Sequence, residues 1–224
     1  METRSMILQR ASELLASSLT GEISTRAICE AAGIGQPVLY RHFGDKDGLL
    51  AAVADKVWEE YLAPKRAAVP SGDPLQDLRD GWDNHLKFAL AHPHAYKLVF
   101  ASGLSAAPQA AQEAMALLES VLSRVAKCGR LRVSPSEAAR VVMAANTGLA
   151  LGLILRPTQF PDQGVSDIIR EATLRGIVAD AEMGEGRTFQ VAATTLLAGL
   201  PDMGLFTGAE SALFAEWLDR IHDA

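Results

Sequence analysis

Four side chains suited to hydrogen bonding with base edges or phosphates lie within seven residues of one another. Gln36, Tyr40, Arg41 and His42 belong to the segment STRAICEAAGIGQPVLYRHF, residues 24–43. An amide or a guanidinium can form two hydrogen bonds to one base edge, and phenol and imidazole groups can hold phosphate oxygens. The chemistry that this group predicts is recognition of a nucleic acid.

Catalytic and metal-binding patterns do not accompany these side chains in the sequence. It contains no nucleophile elbow, no phosphate-binding glycine loop and no His-Glu-x-x-His motif. His85, His92 and His94 lie near one another, but no cysteine or paired carboxylate accompanies them. Cys29 and Cys128 are too far apart for a metal-ligand motif, and we expect Cys29 to be a buried thiol. We therefore predict no enzymatic activity, no metal and no cofactor.

The apolar residues around the polar group predict two short helices joined by a tight turn. Gly33 suits a left-handed helix end, and Pro37 falls in the first turn of the next helix, where its missing N–H costs nothing. Leu39 and Phe43, four residues apart, are predicted to face the core. This is helix-turn-helix geometry, in which the second helix enters the major groove.

The rest of the chain also shows helical spacing. Asp73-Pro74, Ser134-Pro135 and the pair Thr207 and Glu210 mark helix starts, and no run of alternating β-branched residues indicates a sheet. We predict an all-α protein with helices at about 3–18, 24–32, 36–43, 46–63, 74–91, 94–101, 108–128, 135–155, 166–182, 188–200 and 208–222.

Composition and charge narrow the class of protein further. The 224 residues are 49% hydrophobic and 21% charged, with a formal net charge of −6, which excludes a disordered chain and a polybasic DNA coater. A break near 63–73 separates a nearly neutral first part (net −1 over residues 1–66) from a second part of net −5. The first residues lack the pattern of a secretory signal, so we expect a cytoplasmic protein.

The segment AAGIGQPVLYRHFGDKDGLL resembles the signature of the TetR family of bacterial transcription regulators. The Ala-Ala-Gly-Ile turn, Leu-Tyr-Arg-His-Phe and Lys-Asp-x-Leu-Leu occur in the order and spacing of that family. The motif covers residues 24–50, and the preceding helix and the helix from Lys46 complete the family's N-terminal domain. The resemblance implies a three-helix DNA-binding domain at 1–50, with the start of a connecting helix 46–63, and a helical effector-binding and dimerisation domain at 51–224.

The resemblance also implies a DNA-contacting set. Thr25, Tyr40, His42 and Lys46 match phosphate-holding positions, while Gln36, Val38 and Arg41 match base-reading positions. The full set is Thr25, Arg26, Gly35, Gln36, Pro37, Val38, Tyr40, Arg41, His42 and Lys46. Gly35 replaces the polar cap of many members, and Val38 replaces a hydroxyl residue, which suits contact with a thymine methyl.

Helix 135–155 is the candidate for contact with a second subunit. No charged residue occurs from Val141 to Leu155, and Gly148 and Gly152 would allow close helix approach. The run is too short and too rich in Gly and Asn for a membrane span. A helix that is apolar all round must be buried on every side. The resemblance implies a homodimer through C-terminal helices, in which 135–155 pairs with 166–182 or 188–200; a central helix of a monomer is the alternative.

In the TetR family the corresponding helices enclose an effector pocket. The candidates here combine aromatic and Met side chains with a few buried polar groups, which would suit a largely apolar small molecule, although such residues also form ordinary cores. They are Trp82, His85, Phe88, Tyr96, Phe100, Met115, Leu118, Met143, Asn146 and Thr147.

The resemblance implies a homodimeric transcriptional regulator, a repressor released from a pseudo-palindromic double-stranded operator by a small effector. Two other classes remain open at this point. One is a helical binding module of the same fold without DNA binding, and the other is a helical enzyme, for which the sequence shows no clustered titratable groups.

Overall fold

The computed structural model of the chain describes residues 2–105, 108–160, 164–179 and 185–222, and these form an all-α fold, as predicted. The helices are α1 Thr3–Ser17, α2 Thr25–Ala32, α3 Gln36–Phe43, α4 Lys46–Ala67, α5 Pro74–Ala91, α6 Pro93–Phe100, α7 Gln109–Lys127, α8 Pro135–Leu155, α9 Val165–Ile177, α10 Glu185–Met203 and α11 Gly208–His222. The ends of α4 and α9 differ from prediction; all other boundaries lie within three residues of the predicted ones.

The three predicted helix starts are confirmed by their capping hydrogen bonds. The Asp73 carboxylate accepts the N–H two residues along the chain at 3.0 Å. Ser134 and Glu137 cap each other's N–H groups, at 3.3 and 3.1 Å. Thr207 and Glu210 form the same reciprocal box, at 2.8 and 3.3 Å. Each cap satisfies donors that a helix start leaves without a partner.

Helix α4 continues beyond its predicted end at Ala63 and includes Pro64. A proline inside a helix removes one backbone hydrogen bond, so the sequence predicts a break there. Side-chain contacts of the last turn offset that loss. The Lys65 ammonium lies 4.4 Å from the centre of the Tyr61 ring, and Arg66 forms ion pairs with two glutamates.

Helix α9 ends at Ile177, five residues before the predicted end at 182, which lies outside the described residues. The backbone turns away because Val178 forms an isolated antiparallel bridge with Leu131, and the Arg132 N–H donates to the Ile177 carbonyl at 2.8 Å. This bridge is the one extended pairing within the described ranges.

The chain divides into two compact units. The first unit comprises Met1–Ala68, His85–Ala114 and Ala150–Gln159, and the second comprises Val69–Asn84, Met115–Leu149 and Phe160–Ala224.

The N-terminal part of the first unit has its own hydrophobic core. Leu39 of α3 is fully buried and Phe43 is half-buried against the core, as predicted. Cys29 is buried as well, and burial raises the pKa of its thiol. The buried members are Ile7, Leu8, Ala11, Leu15, Ile23, Ile28, Cys29, Leu39, Leu49, Val53 and Ala95. This core fixes α3 through its apolar side.

Aromatic rings fill another part of the first unit. Trp58 of α4 is completely buried, and its ring centre lies 4.8 Å from that of Phe88, 5.5 Å from Phe100 and 5.7 Å from Tyr96. Edge-to-face and stacked pairs at such distances stabilise a core beyond the area that they bury. We call Trp58, Tyr61, His85, Phe88, Tyr96 and Phe100 the aromatic cluster.

His85 bridges two tyrosines within the aromatic cluster. Its Nδ1 lies 3.2 Å from the Tyr61 hydroxyl and its Nε2 lies 2.8 Å from the Tyr96 hydroxyl. A neutral imidazole has one N–H donor and one acceptor nitrogen, so the ring can serve both hydroxyls. Burial, with a smaller contribution from the charge of Lys65, lowers the pKa of His85 to about 3. The ring is therefore neutral in the folded protein at neutral pH.

Polar contacts join α5, α8 and α9 in the second unit. The Trp82 indole N–H donates to the Ser166 hydroxyl at 3.0 Å, and the Asn146 amide donates to the Trp82 carbonyl at 3.1 Å. The Arg79 guanidinium donates to both carboxylate oxygens of Glu171, at 3.0 and 3.1 Å. Such two-pronged pairs fix orientation as well as distance.

Of the helices that the structure describes, α8 is the one whose length and apolar composition would allow it to cross a membrane. It carries Asn146, 3% exposed and bonded to α5, and it buries Val142 and Leu149. These contacts are those of a core helix. Val141 and Leu155 stay 45% and 53% exposed, so a single chain does not bury this helix on every side.

The buried His85 predicts a specific dependence of stability on pH. The unfolded chain takes up a proton on this imidazole near its ordinary pKa of 6.5, whereas the folded chain does so only near 3. The free energy of unfolding should therefore fall as the pH decreases through this window, by up to about 1.4 kcal/mol per pH unit from this group. In His85→Gln that contribution is absent. Urea unfolding of both proteins at several pH values should show their stability difference narrowing toward low pH; parallel curves would contradict the assignment.

Candidate nucleic-acid interface

The turn between α2 and α3 has the geometry that the sequence predicts. The Ser24 hydroxyl accepts the Ala27 N–H at 3.1 Å and so caps α2. Gly33 ends α2 in the left-handed region, at φ +64°, and the Ile34 N–H donates back to the Cys29 carbonyl at 3.0 Å. A residue with a Cβ is strained at this φ, so glycine is favoured at this helix end.

Helix α3 exposes the polar side chains that were predicted to contact DNA. Gln36 and Arg41 are exposed, and Tyr40 is 37% exposed, whereas Leu39 between them is fully buried. Gly35 and Pro37 are exposed as well, and Val38, His42 and Thr25 are half-buried. One side of a short helix thus anchors it, and the opposite side presents hydrogen-bonding groups to solvent.

A close contact between the end of α3 and the start of α4 fixes the position of Lys46, which was predicted to contact a phosphate. The Asp45 carboxylate accepts the Gly48 N–H at 2.7 Å and caps α4. A Cβ on Gly48 would lie 2.3 Å from the Phe43 carbonyl oxygen, a distance that real Cβ atoms do not show. Glycine at this position therefore lets the first turn of α4 reach the end of α3. Sequence reasoning did not identify Asp45 or Gly48, although an Asp directly before the predicted helix start at Lys46 is an N-cap signal.

The cations of this surface differ in their pairing. Arg26 forms an ion pair with Glu30 at 2.9 Å, four residues along α2. Arg41 and Lys46 form no ion pair with any described residue, and both are exposed. Of the cationic residues predicted to contact DNA, Arg41 and Lys46 therefore have their charge fully available to a polyanion. Arg26 would first have to break its ion pair with Glu30.

Two aspartates of α4 bind the segment that leads into α7. The Asp47 carboxylate accepts the Ser105 N–H at 3.1 Å and the Ser105 hydroxyl at 2.7 Å, and these bonds lower the pKa of Asp47. The Asp55 carboxylate accepts the Ala110 N–H, in the first turn of α7, at 2.9 Å. Sequence reasoning missed these contacts because the partners are 58 and 55 residues apart.

The predicted effector residues of the first unit all belong to the aromatic cluster. His85, Phe88, Tyr96 and Phe100 surround Trp58, which the sequence analysis did not select. The signal was available, because Trp58 and Tyr61 are three residues apart on α4 and so share a face. The Trp58 indole N–H is buried and has no hydrogen-bond partner among the described residues.

The other predicted effector residues lie in the second unit. Trp82 and Asn146 are buried and hydrogen-bonded to each other, and Thr147 is half-buried. The side-chain oxygens of Asn146 and Thr147 are buried without a hydrogen-bond partner in the described part of the chain. The remaining predicted residues of this unit, Met115, Leu118 and Met143, are half-buried.

A cavity of about 230 Å³ in the second unit involves none of these residues. Its lining residues are Arg132, Val133, Gly176, Gln190 and Val191.

The three histidines that could suggest a metal site have separate surroundings. His85 bonds two tyrosines, His92 lies 3.9 Å from Glu60, and His94 packs against the backbone of Gly21.

Solved structures share this fold. A TetR-family transcriptional regulator of Pectobacterium atrosepticum superposes with a TM-score of 0.65 at 21% identity, over 80% of this chain and 96% of that one.

Two characterised relatives match in sequence over part of the chain. The transcriptional regulatory protein RaaS of Mycobacterium tuberculosis is 46% identical over 52 residues, 23% of this chain and 24% of RaaS. The transcriptional activator FasR of Mycolicibacterium smegmatis is 27% identical over 125 residues, 55% of this chain and 57% of FasR. The chain thus spans about a quarter of one relative and somewhat over half of the other.

Two family models match consecutive parts of the chain. Residues 7–53 match the model described as bacterial regulatory proteins, tetR family, and residues 78–173 match a tetracyclin repressor-like C-terminal domain. Together these matches cover more than half of the chain and include both the helix-turn-helix and the helical region that follows it. The chain belongs to the TetR family of bacterial regulatory proteins.

Proposed function

We propose that this protein is a cytoplasmic, homodimeric transcriptional regulator that binds a pseudo-palindromic DNA operator through α2 and α3. Residues 1–50 form the DNA-binding domain, and residues 51–224 form the effector-binding and dimerisation domain. The observation that carries the proposal is the exposed side of α3, which presents Gln36, Tyr40 and Arg41 while buried Leu39 holds the helix in place.

Base reading falls to three side chains of α3. The Gln36 amide can pair with adenine and the Arg41 guanidinium with guanine, each through two hydrogen bonds. Val38 offers an apolar contact to a thymine methyl. All three belong to one short helix of the size that the major groove admits.

Phosphate contacts orient the protein without reading sequence. Tyr40, His42 and Lys46 flank the base-reading residues, and Thr25 lies in the first turn of α2, where the helix dipole favours an anion. The free charges of Arg41 and Lys46 account for binding to DNA by a chain whose net charge is −6.

We assign the dimer contact to α10, which the sequence analysis offered as a partner of helix 135–155, and to α11, which it did not offer. Leu213, Trp217 and Ile221, spaced four residues apart on α11, are 47%, 51% and 45% exposed. On α10, Phe189 and Leu196 are 72% and 38% exposed. Large apolar side chains that are exposed along one helix indicate an interface, and a second copy of this chain would cover them.

The effector is proposed to be small and largely apolar. The aromatic cluster offers ring surfaces and the unpaired indole N–H of Trp58, which suits a ligand with one hydrogen-bond acceptor. Buried polar groups without partners are costly, so a ligand that satisfies them gains affinity. Asn146 and Thr147 are a second candidate anchor, in the second unit.

Helix α4 is proposed to couple effector binding to DNA release. Its first turn carries Lys46 and, next to it, Asp47 bonded to Ser105; further along, it carries Asp55 and Trp58. A ligand that displaces rings of the aromatic cluster would therefore act on the helix that positions a phosphate contact. The ligand must bind the two states with different affinity, by typically about 1–3 kcal/mol.

Repression is the proposed regulatory sign, because it needs nothing of the chain beyond DNA binding. Occupying a promoter blocks polymerase by bulk alone, whereas activation requires a further contact with the transcription machinery. Because the relative FasR is named an activator, the direction of regulation has to be measured for this chain. A reporter gene under the control of the selected operator in cells distinguishes repression from activation.

The DNA assignment is tested by selection from a random duplex pool with the full chain. The recovered duplex should bind less tightly as salt increases, because each phosphate contact releases counterions. Gln36→Ala and Arg41→Ala should each relax preference at one base pair, by about 1–3 kcal/mol of discrimination. Lys46→Ala should weaken all sequences alike, and the control Lys56→Ala, about 15 Å farther along α4, should not. Recovery of no duplex would leave a helical binding module of the same fold.

The dimer assignment is tested by Trp217→Glu. A buried unpaired charge opposes association, so this variant should sediment as a monomer at micromolar concentration while the unmodified protein sediments as a dimer. Val69→Glu is the matched control, because Val69 is 90% exposed and lies outside the helices. A dimeric Trp217→Glu protein would show that the contact lies elsewhere.

The coupling assignment is tested by Asp47→Ala. A compound that raises the melting temperature of the unmodified protein and dissociates it from the selected duplex should still stabilise the variant. It should release DNA from the variant at least tenfold less effectively, because the bonds between α4 and Ser105 are lost. Ser120→Ala, at an exposed position of α7, is the control. Equal release from both proteins would exclude Asp47 from the coupling.

A further inference from the structure

We propose that Arg4 of α1 is an additional positioning residue of the DNA interface, donating to a backbone phosphate beside the site of α3. The inference rests on the proposed operator binding and adds a residue from a helix outside the helix-turn-helix. The Arg4 guanidinium carbon lies 5.2 Å from the centre of the Phe43 ring, within the range of a cation–π contact.

The contact with Phe43 places Arg4 at the end of α3. Phe43 is the last residue of α3 and packs against the N-terminal core, so the ring has a fixed position. The neighbouring His42 ring lies 6.2 Å from it, and Lys46 follows three residues later in the sequence. Arg4 therefore contacts the residue that lies between His42 and Lys46 in the sequence, and both of these have proposed phosphate roles.

The contact with the ring leaves the hydrogen-bonding capacity of Arg4 available. The Phe43 ring has no oxygen or nitrogen that could accept a hydrogen bond, and none of the five N–H donors of Arg4 bonds to a described residue. A planar fork of donors matches the oxygens of a phosphate. The ring also restricts the long side chain, which reduces the conformational entropy that a phosphate contact would otherwise cost.

The charge of Arg4 is not neutralised within the chain. Arg10 pairs with Glu13 on the same helix and Arg26 pairs with Glu30, each at 2.9 Å. Arg4 is exposed and forms no ion pair with any residue that the structure describes. Of the three arginines on α1 and α2, Arg4 is thus the one that retains its full charge for an external anion.

A purely structural role for Arg4 would be to cover the Phe43 ring. That role predicts a loss of stability when Arg4 is replaced, but no change in the number of counterions released on DNA binding. The salt dependence of binding therefore separates the two roles.

The experiment compares the unmodified full-length protein with Arg4→Gln, Arg4→Lys and Arg10→Ala. Fluorescence anisotropy gives the affinity for the duplex recovered by selection, at several salt concentrations. Arg4→Gln should reduce the slope of log affinity against log salt by about 0.9 per lost phosphate contact, or about two for a dimer. Affinity should fall roughly tenfold without a change in base preference. Arg4→Lys should keep the slope, and Arg10→Ala should match the unmodified protein.

Ethylation interference supplies a second readout. One ethylated phosphate in each half-site should impair binding of the unmodified protein and have no effect on Arg4→Gln. An unchanged slope together with an unchanged set of interfering phosphates would overturn the inference while leaving the proposed function intact. If the unmodified protein bound no duplex, the proposed function itself would fail.

Discussion

The close approach of α4 to the end of α3 is the constraint on which the proposed DNA surface depends. The first turn of α4 passes so close to the Phe43 carbonyl that position 48 has no room for a side chain, and Gly48 meets this requirement. The Asp45 carboxylate caps the same turn by accepting a hydrogen bond from the Gly48 N–H. Because α3 has only two turns, it has little stability of its own and takes its orientation from its neighbours. The positions of Tyr40, Arg41 and Lys46 relative to one another therefore follow from a backbone contact, not from the side chains that would touch DNA.

Local sequence patterns predicted well both the elements of this surface and several helix starts elsewhere in the chain, because the determinants are local. Gly33 as a left-handed helix end, Leu39 as a buried anchor and the caps at Ser134 and Thr207 each depend on residues within a few positions. The ends of α4 and α9 were predicted wrongly because their determinants are distant. Lys65 and Arg66 stabilise the turn after Pro64 through side-chain contacts, and Leu131 pairs with Val178 from another part of the chain. Residue roles are still less accessible from sequence: Asp47 and Ser105 meet only in the folded chain.

Net charge proved a poor guide to the partner, and the pairing of individual charges is more informative. A formal charge of −6 argues against a protein that coats DNA, but it averages over regions with different tasks. Near the helix-turn-helix, Arg10 and Arg26 are compensated by glutamates four or fewer residues away, whereas Arg4, Arg41 and Lys46 have no such partner in the described structure. A few uncompensated cations at fixed positions suit a protein that reads one site, since they contribute attraction only where phosphates match their spacing.

Helix α4 carries residues of both proposed activities, DNA contact and effector binding. Within one helix the chain places an exposed cation, two aspartates that bind the approach to α7, and the central tryptophan of the aromatic cluster. A continuous helix transmits displacement along its axis because its hydrogen bonds resist local change. Within the cluster, the neutral His85 and its two tyrosine partners satisfy one another's hydrogen bonds inside an apolar shell, which favours one arrangement of these three rings over many. A ligand that binds a second arrangement of the rings more tightly would shift the equilibrium between two positions of the helix. The indole N–H of Trp58 is the group in this cluster that has no hydrogen-bond partner among the described residues. A ligand that accepts a hydrogen bond from it would bind one arrangement of the rings more tightly than the other.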